Sequence, residues 1–351
     1  MRTITRDGIL KQARPLIIAG PCAIESRAQI RHLAKELTDM GIKILRCQLW
    51  KPRTDRDSFQ GVGLAGLKWL KEIKKEFGIL IATEIVDKDH LKHLNGTTDI
   101  LWVGARNMQN YELLKALGKD KRPVILKRGL IATIDEWLKA AKYIGLGKVI
   151  LCERGIRTGA DAMRFTLDLN GALVAKYDHS MPVIIDPSHT AGRSDMVPYL
   201  AYAGIAAGAD GIVVEVHHEP HKALCDASQQ ITPVVFQEII SKVNAIYKLR
   251  HQKEFTINHF GAPSKKTKSA QPKTLLFLAV TNRVGILKDI LTVFSDFDLN
   301  LSKLESQSTK TKEWDYSFEI EVESASNESR LTAALKILRK LCLVTKILKE
   351  S

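Results

Sequence analysis

Lys51-Pro52-Arg53-Thr54 follows the apolar run Ile42–Leu49 and delivers two cations to the exit of an expected strand, which is the chemistry of phosphate recognition. The arrangement recurs along the chain. Gly20-Pro21-Cys22, Gly104-Ala105-Arg106, Lys127-Arg128-Gly129 and Asp186-Pro187-Ser188-His189 each stand after an apolar run of their own. Cys22, Arg46, Lys51, Arg53, Glu84, Arg106, Lys127, Arg157, His189, Glu215 and Asp226 all fall at or just past such runs, and six of them are Lys or Arg. Cations crowded into one mouth repel unless an anion joins them, so the expected ligand carries two phosphates, or a phosphate and a carboxylate. Cys22, His189, Glu215 and Asp226 make a second set: a thiol, an imidazole and two carboxylates from the first, seventh and eighth runs. Mixed S, N and O donors suit a divalent first-row metal such as Mn, Fe, Co or Zn, without selecting one. Taken singly, Cys22 is more often a small buried residue, His189 a capped core histidine and Glu215 an ion-pair partner. Their convergence favours the metal reading.

The elements that must position these groups follow from the hydrophobic pattern. Eight short β-rich runs occur at Leu16–Gly20, Ile42–Leu49, Ile79–Thr83, Ile100–Val103, Val124–Lys127, Val149–Cys152, Val183–Asp186 and Gly211–Val216. Helical periodicity fills intervals between them, at Arg27–Met40, Leu64–Phe77, Ile134–Tyr143 and Asp195–Ala207, and Val234–Leu249 closes the series. Fully apolar strands alternating with helices imply a parallel sheet, and eight such units predict a (β/α)8 barrel, with a doubly wound open sheet as the alternative. In a barrel the polar strand ends gather at one mouth. Residues 1–14 are expected to form a small hairpin under the barrel. The barrel domain is placed at residues 1–250 and a linker at 251–273, where apolar periodicity stops. A smaller domain at 274–351 has the order βαββαβ of a ferredoxin-like sandwich.

The 351 residues carry a formal charge of +14, with 45% hydrophobic and 26% charged residues, an ordinary globular balance. Acids and bases balance over residues 274–351, so the excess of cations lies upstream, with the strand ends and the linker lysines. Lysines without interleaved aromatics suit a solvated surface and a phosphate pocket, and no nucleic-acid partner is expected. No run is long enough for a membrane span and Met1–Leu10 lacks a signal peptide's apolar core, so a cytoplasmic location is expected. The cysteines Cys22, Cys47, Cys152, Cys225 and Cys342 are scattered and odd in number, which argues for thiols over a disulfide framework.

Residues from about Leu16 to Leu249 resemble the type I 3-deoxy-D-arabino-heptulosonate 7-phosphate (DAHP) synthases, in the subgroup related to the Kdo8P synthases. The motifs carrying the resemblance are Ile18-Ala19-Gly20-Pro21-Cys22-Ala23-Ile24-Glu25, Lys51-Pro52-Arg53-Thr54, Ser58-Phe59-Gln60-Gly61, Gly104-Ala105-Arg106-Asn107, Leu126-Lys127-Arg128-Gly129, Cys152-Glu153-Arg154-Gly155-Ile156-Arg157-Thr158, Asp186-Pro187-Ser188-His189 and Val214-Glu215-Val216-His217. Such enzymes condense phosphoenolpyruvate with erythrose 4-phosphate in the first step of the shikimate pathway. The resemblance implies metal ligands at Cys22, His189, Glu215 and Asp226. It implies phosphoenolpyruvate contacts at Arg46, Lys51, Arg106, Lys127 and Arg157, and aldose phosphate contacts at Arg53 and Thr54. Lys51, Glu84, Lys127 and His189 are the expected catalytic groups. A Kdo8P synthase acting on arabinose 5-phosphate is the competing reading, and Pro52-Arg53-Thr54 after Lys51 favours the four-carbon sugar. A non-catalytic amino-acid sensor is a further alternative, opposed by the intact ligand set.

Residues 274–348 resemble the ACT regulatory domains of prephenate dehydratases, through Asn282-Arg283-Val284-Gly285-Ile286-Leu287 and Asn300-Leu301-Ser302-Lys303-Leu304-Glu305-Ser306. The resemblance implies an effector site for phenylalanine or tyrosine around Val284, Gly285, Ile286, Leu287, Leu304, Glu305 and Ser306. Gln307-Ser308 replaces the Arg-Pro pair that continues the family motif. A homo-oligomer, dimer or tetramer, is expected.

Overall fold

A computed structural model describes residues 4–12, 15–53, 55–252, 272–308 and 316–350. It divides into two units, Met1–Ala262 and Pro263–Ser351. Most of the expected 251–273 linker, and Thr54, lie outside the described residues.

Eight parallel strands close the first unit into a barrel: β1 (Leu16–Gly20), β2 (Ile44–Arg46), β3 (Leu80–Glu84), β4 (Ile100–Val103), β5 (Val124–Lys127), β6 (Val149–Glu153), β7 (Val183–Ile185) and β8 (Gly211–Glu215). β8 pairs with β1 from Leu16↔Gly211 to Gly20↔Glu215, which sets the first and last strand ends side by side. The strands are apolar on both faces because both are covered. Leu16, Ile18, Ile44, Ile100, Trp102, Ile125, Ile150 and Ile184 fill the barrel interior, while Ile17, Ala19, Leu45, Ile81, Leu101 and Leu126 pack outward beneath the helices.

The N-terminal segment corrects one expectation, since Arg6–Gln12 is a helix (α1), not a hairpin. Gly8 N donates to Thr5 Oγ1 at 3.1 Å to open the turn, and Ile9 is buried within the interior cluster. Ile9, with Ile4 and Leu10 packed against the same cluster, is served by one helical turn and needs no strand partner.

The outer helices follow local signals. In α2 (Arg27–Asp39) Ser26 caps the first turn by accepting from Gln29 N, and Ile30, Leu33, Ala34 and Leu37 recur on the buried face. The helix Ile134–Ile144 opens with a capping box between Thr133 and Glu136. The last barrel helix, Pro233–Arg250, starts with proline in its first turn behind the Thr232 cap. Short strands shift several expected ends by a residue or more; β2 covers only Ile44–Arg46 of the run Ile42–Leu49 because Cys47 onward already turns into the mouth.

The second unit is an antiparallel sheet of β9 (Thr274–Val280), β10 (Leu301–Ser308), β11 (Tyr316–Val322) and β12 (Val344–Glu350) in the order β10-β11-β9-β12. Helices Ile286–Asp296 and Ser329–Leu341 complete the βαββαβ order, and Ile290, Phe294, Leu331 and Leu338 pack against Leu276, Leu278, Ile320 and Val322. Among the described residues, no helix is long and apolar enough to cross a membrane.

Candidate active site

The carboxyl ends of the barrel strands surround a cleft with about 260 Å³ of free space. Lys51, Arg53, Arg106, Lys127, Arg154 and Arg164 line it together with Gln48, Glu84, His189 and Asp226. A set of six cations there matches the expected crowding, with two exchanges of members. Arg46 and exposed Arg157 do not line the cleft, whereas buried Arg154 and more exposed Arg164 do. The antiparallel bridge Ile156↔Thr166 folds the segment after β6 back on itself, which turns Arg157 outward and brings Arg164 in. Arg154 lies within a motif quoted above, but nothing local in the sequence distinguishes it from Arg157. For Arg164 there is no local signal at all.

Cys22, Glu215 and Asp226 present donor atoms that all lie within 4.8 Å of one another. Cys22 Sγ is 3.3 Å from Asp226 Oδ2. His189 stands at the edge of this group, its Nε2 3.5 Å from Glu215 Oε1 and its Nδ1 2.8 Å from Asp186 Oδ2. A carboxylate behind one imidazole nitrogen fixes the other toward a metal position, the usual support of a histidine ligand. Asp186 also caps the helix Pro187–Ala191 by accepting from His189 N, so one side chain sets both the backbone and the ring of His189. Burial pushes the His189 imidazole down to about 4, which leaves it neutral and able to coordinate near pH 7. Asp226 adopts a left-handed backbone (φ 48°), a strained conformation of the kind found at functional positions. The donor chemistry, a thiol and two carboxylates grouped together with an imidazole at their edge, fits a divalent transition metal.

The surrounding charges are held in pairs. Arg46 does not line the cleft; it is buried beneath it, donating to Glu215 Oε1 at 2.9 Å and to the carbonyls of Pro21 and Cys22 at 3.1 and 3.3 Å. Gly20 makes this crossing possible. Its φ is +151°, and a Cβ there would fall 2.2 Å from Arg46 O and 2.9 Å from Arg46 Cγ. Gln229 Nε2 donates to the other oxygen of Glu215 at 2.6 Å, and Gln229 Oε1 accepts from Arg164 at 2.9 Å. Lys51 Nζ reaches Asp226 Oδ2 at 2.8 Å and Arg53 reaches Oδ1 at 3.3 Å. Lys127 Nζ pairs with Asp186 at 2.7 Å and lies 5.8 Å from the centre of the Trp102 ring. Burial raises the Glu84 carboxyl above its ordinary range, against the lowering pull of Lys51 and Lys127. Gln48 donates to Glu84 Oε2, a partner that the sequence did not single out.

Arg154 offers the cleft an available cationic donor. Its guanidinium stacks 4.3 Å from the centre of Phe165, and its Nη1 is buried without a hydrogen-bond partner among the described residues. A buried charged donor left unpaired is costly, and a phosphate or carboxylate oxygen in the cleft relieves that cost.

A closed (β/α)8 barrel whose mouth joins a thiol, imidazole and carboxylate cluster to a ring of cations is an enzyme site for anionic substrates. Comparison with known proteins agrees. The sequence profile of the DAHP synthetase I family matches residues 6–250, and that of the ACT domain residues 273–340. A Thermotoga maritima protein named phospho-2-dehydro-3-deoxyheptonate aldolase is 44% identical over 233 residues, covering 66% of this chain and 69% of its own. A crystal structure of a Thermotoga maritima DAHP synthase shares 43% identity at a TM-score of 0.63, with 66% of this chain and 68% of that one covered. A 2-dehydro-3-deoxyphosphooctonate aldolase of Desulfatibacillum aliphaticivorans is 30% identical over 254 residues, 66% of this chain and 92% of the relative. The chain belongs to the DAHP synthetase I family, and it carries an ACT domain.

Proposed function

We infer that this enzyme is a 3-deoxy-7-phosphoheptulonate synthase, condensing phosphoenolpyruvate with erythrose 4-phosphate and water to give DAHP and phosphate. The observation that carries the reading is the cleft of six cations opening beside the Cys22, His189, Glu215 and Asp226 donors. Those four residues would hold a divalent metal, which when bound supplies a Lewis acid for the aldehyde oxygen. Lys127, Arg106, Arg154 and Arg164 hold the phosphate and carboxylate of phosphoenolpyruvate, while Arg53 takes the aldose phosphate. Lys51 lies between the two groups, tied to Asp226 on one side and facing the cleft on the other. Holding two mutually repelling anions in reacting geometry is the main task of these cations. Glu84, with its raised affinity for a proton, is placed to exchange one with the water that attacks the former enol carbon before phosphate leaves.

The placement of Glu84 yields a specific expectation. A Cβ on Gly104 would fall 2.2 Å from Glu84 Oε1, so Gly104→Ala must push that carboxylate aside. A catalytic group displaced by about 1 Å loses on the order of 10²-fold in rate. The expected result is a drop of that size in kcat with KM little altered, and an unchanged kcat would remove Glu84 from the chemistry.

The function itself is tested by following phosphate release from phosphoenolpyruvate with erythrose 4-phosphate or arabinose 5-phosphate. Preference for arabinose 5-phosphate would overturn the four-carbon assignment. In the ACT unit the residues proposed for an aromatic amino-acid effector include fully exposed Val284 and exposed Leu304, Glu305 and Ser306 on the edge strand β10. Ile286 is instead largely buried in the domain core, and Gly285 takes a left-handed φ of 88° at the start of its helix. Calorimetry with phenylalanine and tyrosine checks binding there.

A further inference from the structure

A second group of metal-capable side chains lies outside the cleft. His32 and Glu36 stand one turn apart on α2, and His218 follows the end of β8. Their donor atoms all lie within 4.8 Å of one another. His32 Nε2 is 3.7 Å from Glu36 Oε1, His218 Nδ1 is 3.2 Å from Glu36 Oε2, and the two imidazoles stack with centroids 4.0 Å apart. A neutral imidazole presents one ring nitrogen as a lone-pair donor. Glu36 Oε2 and His218 Nε2 are buried yet form no hydrogen bond among the described residues. A buried carboxylate oxygen without a donor is an unmet demand for positive charge. The neighbouring backbone is already pinned, because His217 Nδ1 accepts from Glu219 N at 3.0 Å and Glu25 Oε1 accepts from Leu224 N at 2.9 Å.

We propose that His32, Glu36 and His218 form a second metal site, selective for zinc-class divalent transition ions and tying α2 to the segment after β8. Two imidazoles and one carboxylate are a recurrent zinc donor set, with the fourth position left to water. The same donors suit magnesium and calcium poorly, since those ions take oxygen ligands. The i, i+4 spacing places His32 and Glu36 on one face of the helix, and His32 is exposed enough for an ion to enter from solvent. The site shares no residue with the Cys22 group and lacks a thiol. Its effect is local: it fastens the chain between Glu215 and Asp226, both members of the Cys22 donor group.

The test is the zinc content of metal-stripped full-length protein after dialysis against a modest excess of zinc. The expected count is two ions per chain, falling by one in His218→Ala and by one in Glu36→Gln, each with unchanged circular dichroism. Glu36→Gln keeps the side chain's shape and guards against a folding defect in the histidine variant. Cobalt separates the two sites: the thiolate-to-cobalt charge-transfer band belongs to Cys22 alone, so the second equivalent should add visible ligand-field absorption without increasing that band. If Cys22 binds no zinc, the wild-type count becomes one and still vanishes in His218→Ala. A count unaltered in both His218→Ala and Glu36→Gln, or a single ion lost only in Cys22→Ala, would overturn the second site.

Discussion

Cys22→Ala is expected to yield a folded protein with activity reduced by about 10³-fold or more, since a Lewis acid is worth several kcal/mol of transition-state stabilisation. Cys22 is fully buried beside Ala23 and Cys225, and exchanging its sulfur for hydrogen leaves a small void in an otherwise intact wall. The loss is therefore chemical before it is structural. A second readout is the pH dependence of metal affinity. Burial first, then Cys225 and Glu215 beside it, push the Cys22 thiol well above the ordinary thiol range, so it is protonated at neutrality without metal. His189, pushed down to about 4 by burial, has no proton to lose there, and Asp226 is already ionised beside Lys51. Metal capture thus releases one proton, and apparent affinity should rise about tenfold per pH unit through the neutral range. In Cys22→Ala the residual affinity should be nearly flat with pH. Full activity after verified metal removal would exclude the metal from the chemistry, and a flat profile in the wild type would exclude the thiol as a ligand.

Arg46→Met is the second large effect, and it should appear in stability as well as in rate. Arg46 is 1% exposed and Glu215 0%, and methionine replaces the aliphatic stem while leaving the carboxylate buried without its cation. Removing one partner of a buried pair costs about 3–5 kcal/mol. The carbonyls of Pro21 and Cys22 lose their guanidinium donor at the same time, and the loop bearing Cys22 is expected to relax away from Glu215. Urea unfolding followed by tryptophan fluorescence reports chiefly on the barrel, through Trp50, Trp69, Trp102 and Trp137. Arg46→Lys should recover part of the stability, because one ammonium reaches Glu215 but cannot span both carbonyls. A change below about 1 kcal/mol, with metal content retained, would reduce the pair to the standing of an exposed ion pair.

Arg46 also illustrates how the sequence and the fold divide the information. Its position at a strand end is legible in the sequence, and the resemblance implied contact with phosphoenolpyruvate. Its partners in the fold are Glu215, 169 residues away, and two carbonyls of the β1 exit. Gln48 and Gln229 carry no such signal, and Asp186 stands only within the motif that ends in His189, since each acts by orienting another residue. Residue type alone carries little trace of such a role. The exchange of Arg157 for Arg164 at the cleft depends on a chain reversal after β6 that leaves no periodic signal.

The sequence by itself determined the alternation of apolar runs and amphipathic helices, the change of pattern near residue 250, and the gathering of cations at strand exits. These are local properties, written in side-chain period and composition. The tertiary structure decided which exits face one another. Closure of β8 on β1 brought Glu215 beside Cys22, turned Arg46 into their brace, and set His218 against His32 and Glu36. Such neighbours are distant in sequence, and only the registry of a closed barrel fixes the distances that let their donors act together.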